Sequence, residues 1–172
     1  MHYLDQSLCN IVHKSIRTWG PIEYLMAVLA ATFNNEILSF IWTLAIIGLP
    51  WSLYSFLAAV LLPMLTLFST LILKRLVSRP RPIPFLPRVE ALRFDFRGKE
   101  TNHSMPSGDS AQAAAFWTFL ALNLSAPWWL CFLMTLGTMF SRVYYMCHFP
   151  SDTIVGALVG SSIAFLVTYF LL

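Results

Sequence analysis

Apolar residues fall along this chain in long blocks separated by short polar or Pro/Gly interruptions, and their spacing predicts helices almost throughout. Residues 4–18 (LDQSLCNIVHKSIRT) place Leu4, Leu8, Ile11, Val12 and Ile16 at helical spacing, interrupted by Lys14 and Arg17. That pattern predicts a helix lying in a membrane interface. After Gly20-Pro21, residues 22–33 form a short apolar helix closed by Asn34, Asn35 and Glu36, too short to span a bilayer comfortably. Residues 37–50 make a second apolar run that ends at Gly48-Leu49-Pro50-Trp51. Residues 52–77 are the longest run, and Pro63 inside it predicts a kink. Three further runs cover 107–124, 127–147 and 151–172, the first two joined by the turn Ser125-Ala126-Pro127. Trp128 and Trp129 at that turn suit the aromatic belt of a membrane boundary. Ala111, Ala113, Ala114, Ala115, Gly156 and Gly160 read as small residues for close helix contact rather than as chemistry.

Between the fourth run and the fifth the pattern changes. Residues 74–104 hold Lys74, Arg75, Arg79, Arg81, Arg88, Arg93, Arg97 and Lys99, eight of the eleven Lys and Arg. Pro80, Pro82, Pro84 and Pro87 keep its first part extended. Its second part, VEALRFDFRGKETNH, alternates charged with apolar residues and suits a segment resting on the surface.

Composition fixes the class. The 172 residues are 58% hydrophobic and 11% charged, with a mean hydropathy of +0.67, far from the roughly one-quarter charged residues of soluble domains. The expected fold is all-α: a polytopic transmembrane bundle of about six helices with an N-terminal interfacial helix, forming one membrane-embedded domain over residues 1–172. The net charge of +3 is small, and no nucleic-acid partner is expected. Cys9, Cys131 and Cys147 are far apart and form no CxxC, which argues against a disulfide framework or structural zinc. The N-terminal stretch lacks the compact apolar core and small-residue cleavage site of a signal peptide. No feature sets an oligomeric state.

Counting crossings puts the basic segment, the Pro106-Ser107-Gly108-Asp109 stretch and residues 142–152 on one side of the membrane. Three polar clusters meet there. Lys74 and Arg81 are seven residues apart and can share a helix face until the prolines end it; two fixed cations suit a highly charged anion, or they are flanking charges of the positive-inside kind. Pro106, Ser107 and Gly108 open a helix and leave backbone N–H groups for an anion, or Ser107 or Asp109 simply caps those donors. Arg142 lies six residues before His148, and Asp152 four residues after it. A carboxylate one turn after a histidine can hold one ring nitrogen and leave the other as acceptor or nucleophile.

Together these stretches resemble the type 2 phosphatidic acid phosphatase (lipid phosphate phosphatase) superfamily, whose signature is K-x6-RP, PSGH and SR-x5-H-x3-D. Here the motifs read Lys74-x6-Arg81-Pro82, Pro106-Ser107-Gly108-Asp109 and Ser141-Arg142-x5-His148-x3-Asp152. The resemblance implies a helical bundle, a lipid phosphate or diphosphate substrate, a phosphohistidine mechanism, and no metal or other cofactor. It implies that His148 attacks phosphorus while Asp152 fixes its tautomer and stabilises the positive ring. It also implies that Lys74, Arg81 and Arg142 grip the phosphoryl oxygens, aided by Ser107 and the Gly108 N–H.

One position departs. The histidine of PSGH, which protonates the leaving group, is Asp109 here. A carboxylic acid of ordinary pKa is ionised at neutral pH and a poor donor. Three readings follow. Asp109 is held protonated by its surroundings and acts as the acid; or no acid is needed because a lipid diphosphate releases a weakly basic phosphate monoester; or the protein binds lipid phosphates without turnover. His103 is an alternative acid. The reading favoured on sequence is an active phosphatase preferring isoprenyl or polyprenyl diphosphates, with phosphatidate hydrolysis and catalytically impaired binding as alternatives. Six basic residues, Arg75, Arg79, Arg88, Arg93, Arg97 and Lys99, are left unexplained by catalysis and argue for a cytosolic site, although relatives commonly face the lumen or periplasm. The short apolar runs suit a thin bilayer such as the endoplasmic reticulum.

Overall fold

A computed structural model describes residues 2–15, 20–34, 36–47, 52–83, 92–97 and 103–171. Among them are seven α-helices and no strand: α1 (His2–Ser15), α2 (Gly20–Phe33), α3 (Glu36–Ile47), α4 (Leu53–Val77), α5 (Gly108–Asn123), α6 (Trp128–Tyr144) and α7 (Pro150–Leu171). Each apolar run therefore forms the helix its pattern predicts, within a few residues. The side chains of Lys14 and Arg17, the stretch Gly48–Trp51, the prolines Pro84 and Pro87, and Arg88 and Lys99 lie outside the described residues.

Among the described residues two helices, α4 and α7, are long and apolar enough to cross a membrane by length and composition. At 1.5 Å per residue the 25 residues of α4 extend about 37 Å, more than the ~30 Å of a hydrocarbon core. The α4 helix continues through Pro63, and the Gln112 amide of α5 donates to the Pro63 carbonyl at 3.0 Å. The bundle turns large apolar side chains outward, among them Phe68, Phe132, Leu158 and Phe170. Small and polar residues face inward, including Ala58, Ala59, Ala113, Thr66 and Ser110. That distribution suits lipid outside and close backbone contact inside.

The most extensive helix contact is between α5 and α7. Glycines make it possible. A Cβ on Gly160 would stand 2.0 Å from the Ala111 carbonyl oxygen, and one on Gly156 would stand 2.4 Å from that of Ser107. The Gly156/Gly160 pair is thus a packing device. A polar latch closes the bundle end away from the motif residues: Tyr54 Oη donates to Asn123 Oδ1 at 2.8 Å, and Asn123 Nδ2 donates to Thr168 Oγ1 at 2.9 Å.

The basic segment between α4 and α5 is tied to the bundle at its described positions. Leu92, Phe94 and Phe96 pack with Met26, Ala27 and Tyr145, and the Arg93 N–H donates to buried Glu23 of α2. Arg97 donates to the Met146 carbonyl. This segment braces the turn between α6 and α7 that carries His148.

Candidate active site

The three motif clusters meet at one end of the bundle, because α4 and α6 end there while α5 and α7 begin there. Ser78 ends α4 in the left-handed region (φ 47°), its N–H bonded to the Lys74 carbonyl, and the chain turns into the extended Arg79–Arg81 stretch. Ser104 docks on that stretch: its N–H donates to the Arg79 carbonyl at 2.9 Å and its hydroxyl to that of Pro80 at 2.9 Å. Ser107 then caps α5, its Oγ accepting from Ser110 N–H and, at 3.0 Å, from Ser110 Oγ. The Ser107 N–H donates to the Asp152 carbonyl, which joins the starts of α5 and α7.

A cavity of about 90 Å³ opens among α2, α4, α5 and the α6–α7 turn. Its polar wall is Asn34, Thr70, Lys74, Asp109, Gln112 and His148, with Gly108 beside them. Its apolar wall is Phe33, Leu67 and Leu71, and Leu71 is exposed on the outer face of α4. Apart from its chain neighbours and its own helix backbone, nothing comes within 4 Å of where a Gly108 Cβ would stand, so the space reaches the start of α5. The volume holds several waters or one tetrahedral oxyanion. A larger groove of about 340 Å³ along α5, α6 and α7 holds none of the motif residues.

His148 is fully buried. Its Nδ1 lies 2.6 Å from the Ser104 carbonyl oxygen, which only accepts, so Nδ1 carries the proton and the basic lone pair sits on Nε2. Arg81 Nη1 is 3.3 Å from Nε2 and donates to the Cys147 carbonyl at 2.6 Å. Sequence assigned the fixing of the ring to Asp152; in the structure the Nδ1 partner within hydrogen-bond reach is the Ser104 carbonyl instead. Asp152 Oδ2 is 3.8 Å from His148 Nδ1, close enough for charge but beyond hydrogen-bond reach. That oxygen accepts from the Phe149 N–H at 2.9 Å, and Oδ1 is held by Arg79 at 2.6 Å.

Of the other expected residues, Lys74 lines the cavity and Arg81 touches the histidine ring. Arg142 is fully buried and meets the cavity through Asp109: its Nε is 2.7 Å from Asp109 Oδ2, and its Nη1 donates to Asn34 Oδ1 at 3.1 Å. Ser107 is buried as a cap and does not line the cavity. The His103 side chain is exposed and also off the wall; its backbone carbonyl accepts from Arg81 at 3.4 Å.

Sequence reasoning missed three participants. Ser104 acts through a backbone carbonyl, which leaves no signature in residue type. Asn34 has the sequence signature of a helix terminator, which hides its contact with Arg142. Arg79 falls among the basic residues that catalysis leaves unexplained in the sequence, yet it is mostly buried between Asp5 of α1 and Asp152, with its guanidinium 4.1 Å from the Phe149 ring centroid. Arg93 and Arg97 likewise have internal partners. The charge argument for a cytosolic site loses these residues. Around the histidine stand Lys74, Arg79, Arg81 and Arg142 against Asp5, Asp109 and Asp152, an excess of one positive charge that favours an anionic ligand.

Burial pushes the Cys9 thiol, on the inner face of α1, up to about 12. Burial would also raise Asp5, but hydrogen bonds from Ser151 and the charge of Arg79 outweigh it and hold the carboxyl below its ordinary value.

Comparison with known proteins adds the family. A family model described as the PAP2 superfamily matches residues 51–172. No curated protein sequence matches the chain at a significant level. The fold is similar to that of a transmembrane PAP2 type phosphatidylglycerolphosphate phosphatase from Bacillus subtilis, with a TM-score of 0.75 and 18% identity over 98% of this chain and 85% of that one. It is also similar to that of LpxE from Aquifex aeolicus, with a TM-score of 0.71 and 21% identity over 95% of this chain and 93% of that one.

Proposed function

The chain belongs to the PAP2 superfamily, and on that premise we propose that it is a multi-pass membrane lipid phosphatase acting through a phosphohistidine on His148, with a preference for isoprenyl or polyprenyl diphosphates. The observation that carries the reaction type is the orientation of His148: Nδ1–H bonded to the Ser104 carbonyl, the basic Nε2 beside the Arg81 guanidinium, and the ring on the wall of a cavity holding Lys74. In the proposed reaction Nε2 attacks the terminal phosphorus as the bond to the bridging oxygen breaks. The lipid leaves as its monophosphate, and water then cleaves the N–P bond to release phosphate. Lys74 and Arg81 offset the charge of the transferring group, helped by the positive end of α5 at Gly108. Arg142 joins them when the substrate competes with Asp109 for it. The apolar wall of Phe33, Leu67 and Leu71 supports a lipid substrate, because it runs from the polar cavity to the outer face of α4.

The diphosphate preference rests on Asp109. Its Oδ2 lies 2.7 Å from the buried Arg142 guanidinium, and in this reading it stands as the partner of that cation and not as the acid of the reaction. An enzyme lacking its acid loses about 10²–10⁴-fold on a basic alkoxide leaving group and much less on a phosphate monoester. The same ion pair also favours a second reading, a lipid-phosphate-binding protein without turnover, since Asp109 occupies a cation that the reaction needs.

Phosphate release is measured from purified protein in detergent with EDTA, using a prenyl diphosphate, a prenyl monophosphate and phosphatidate, beside His148→Ala and Asp109→Ala. The expected result is metal-free release from the diphosphate that His148→Ala abolishes and Asp109→Ala leaves. Equal release from phosphatidate refutes the preference. Release lost in Asp109→Ala makes that residue the acid. No release, with no radiolabelled phosphate trapped on His148, leaves the binding reading.

A further inference from the structure

We propose that Arg79 and Asp5 are positioning residues of the active site, and that the N-terminal helix α1 thereby sets the charge balance at His148. The inference rests on the hydrolase reading above. Arg79 reaches His148 by two routes. Through its side chain, Nη1 is 2.6 Å from Asp152 Oδ1 and 2.7 Å from Ser151 Oγ, while Asp152 Oδ2 lies 3.8 Å from the histidine Nδ1. Through its backbone, the Arg79 carbonyl accepts from the Ser104 N–H, and the Ser104 carbonyl in turn accepts from the His148 Nδ1–H. One residue therefore orients both partners of the ring.

Asp5 completes the arrangement. Its Oδ2 is 2.8 Å from Arg79 Nη2 and 2.5 Å from Ser151 Oγ, and its Oδ1 receives the Ser151 N–H at 3.4 Å. Asp5 and Cys9, one turn apart on α1, face the bundle and are buried, while Leu4, Leu8 and Ile11 face outward. An apolar face alone would seat an interfacial helix; a buried carboxylate on its inner face, fastened to the residues around His148, is not needed for that. The polar partners, not the apolar stripe, fix how α1 sits on the site.

The charges assign a distinct role to each residue. Asp5, Arg79 and Asp152 together carry one negative charge beside a ring that becomes positive when phosphorylated. The other charged groups around that ring, Lys74, Arg81, Arg142 and Asp109, are unchanged by substitutions at positions 5 and 79. Neutralising Asp5 removes the net negative charge and disfavours a positive His148. Neutralising Arg79 doubles it and favours one. The hydrogen bonds from Ser151 and Arg79 that hold the Asp5 carboxyl below its ordinary value keep it charged at neutral pH.

The test is the pH profile of kcat/KM for phosphate release from farnesyl diphosphate by the full chain, with Asp5→Asn, Arg79→Gln, the double variant and Asp5→Glu. Asp5→Asn is expected to move the acidic limb of the profile to lower pH by about half to one unit, and Arg79→Gln to move it to higher pH by a similar amount. The double variant restores the net charge and is expected to return the limb towards wild type, and Asp5→Glu to preserve it. A merely structural role would lower activity without displacing the two limbs in opposite directions. Unmoved limbs, or shifts of the same sign, overturn the inference. An inactive wild-type protein refutes the hydrolase reading itself. If Arg79→Gln fails to fold, Asp5→Asn against Asp5→Glu decides.

Discussion

Replacing Asp109 with asparagine probes the site without depending on turnover. In the wild type the Asp109 carboxylate is 2.7 Å from Arg142 Nε; the arginine is fully buried, and the aspartate side chain is 17% exposed. Removing one partner of a buried pair costs about 3–5 kcal/mol because the other charge is stranded. Two features reduce that figure here. Asp109 is partly hydrated, and Arg142 Nη1 keeps its bond to Asn34 Oδ1. A loss of about 2–3 kcal/mol is therefore expected, which for a chain of this length lowers Tm by roughly 4–12 °C. The same change removes an anion from the phosphate's surroundings. Two unit charges ~5 Å apart interact by ~3 kcal/mol at an effective dielectric of 20, and halving this for solvent screening leaves about tenfold tighter anion binding. Thermal unfolding in detergent, with and without millimolar orthophosphate, measures both effects. Asp109→Asn is expected to be less stable than wild type without phosphate and to gain more from it, by up to ~1.4 kcal/mol at saturating ligand. Equal Tm values and equal phosphate shifts would mean that the Asp109–Arg142 pair does not form in solution, and the account of the leaving group built on it would fall.

Other outcomes follow from the packing and from α1. Gly160→Ala is expected to cost about 1–3 kcal/mol or more in thermal unfolding, because its Cβ would stand 2.0 Å from the Ala111 backbone, whereas Gly20→Ala meets nothing within 4 Å and is expected to be neutral or slightly stabilising. Cys9 is fully buried with its thiol pushed up to about 12, so maleimide at pH 7 is expected to label it only after unfolding; prompt labelling of the folded protein would mean that α1 is undocked. The Asp5 carboxyl is held below its ordinary value of 3.8, so its contribution to stability is fully present above that value and is lost as pH falls through the folded-state value. Asp5→Asn is thus expected to be less stable than wild type at pH 6–7, with the difference vanishing as pH falls through the lowered folded-state value; a difference that persists in stronger acid would point to packing rather than charge.

The helices and the motif positions were legible in the chain for local reasons. An apolar run bounded by Pro, Gly or polar residues states its own length, so α2 through α7 end within a few residues of where the pattern places them. The pairs Lys74/Arg81 and His148/Asp152 lie within one or two turns of each other, so their joint presence at a helix end could be read from spacing. The reading of Ser107 as a cap and of the Gly156/Gly160 stretch as packing was available for the same reason. Partners far apart in sequence were not. Arg79 meets Asp5 across 74 positions and Asp152 across 73, and Arg142 meets Asn34 across 108; no periodicity links them.

An all-helical, lipid-compatible bundle, with its cationic, imidazole and carboxylate motif side chains gathered at one end, could be read from the chain alone. Both follow from hydropathy and local spacing, which act within a helix or its immediate neighbours. Which partner each charge has depended on the folded arrangement of the helices. It set the His148 Nδ1 against the Ser104 carbonyl, tied Asp152 to Arg79 and through it to α1, and placed Asp109 on Arg142. Buried charges must find partners wherever the folded chain brings them. That matching is settled by the approach of helix ends and turns, long after the local pattern has chosen the helices themselves.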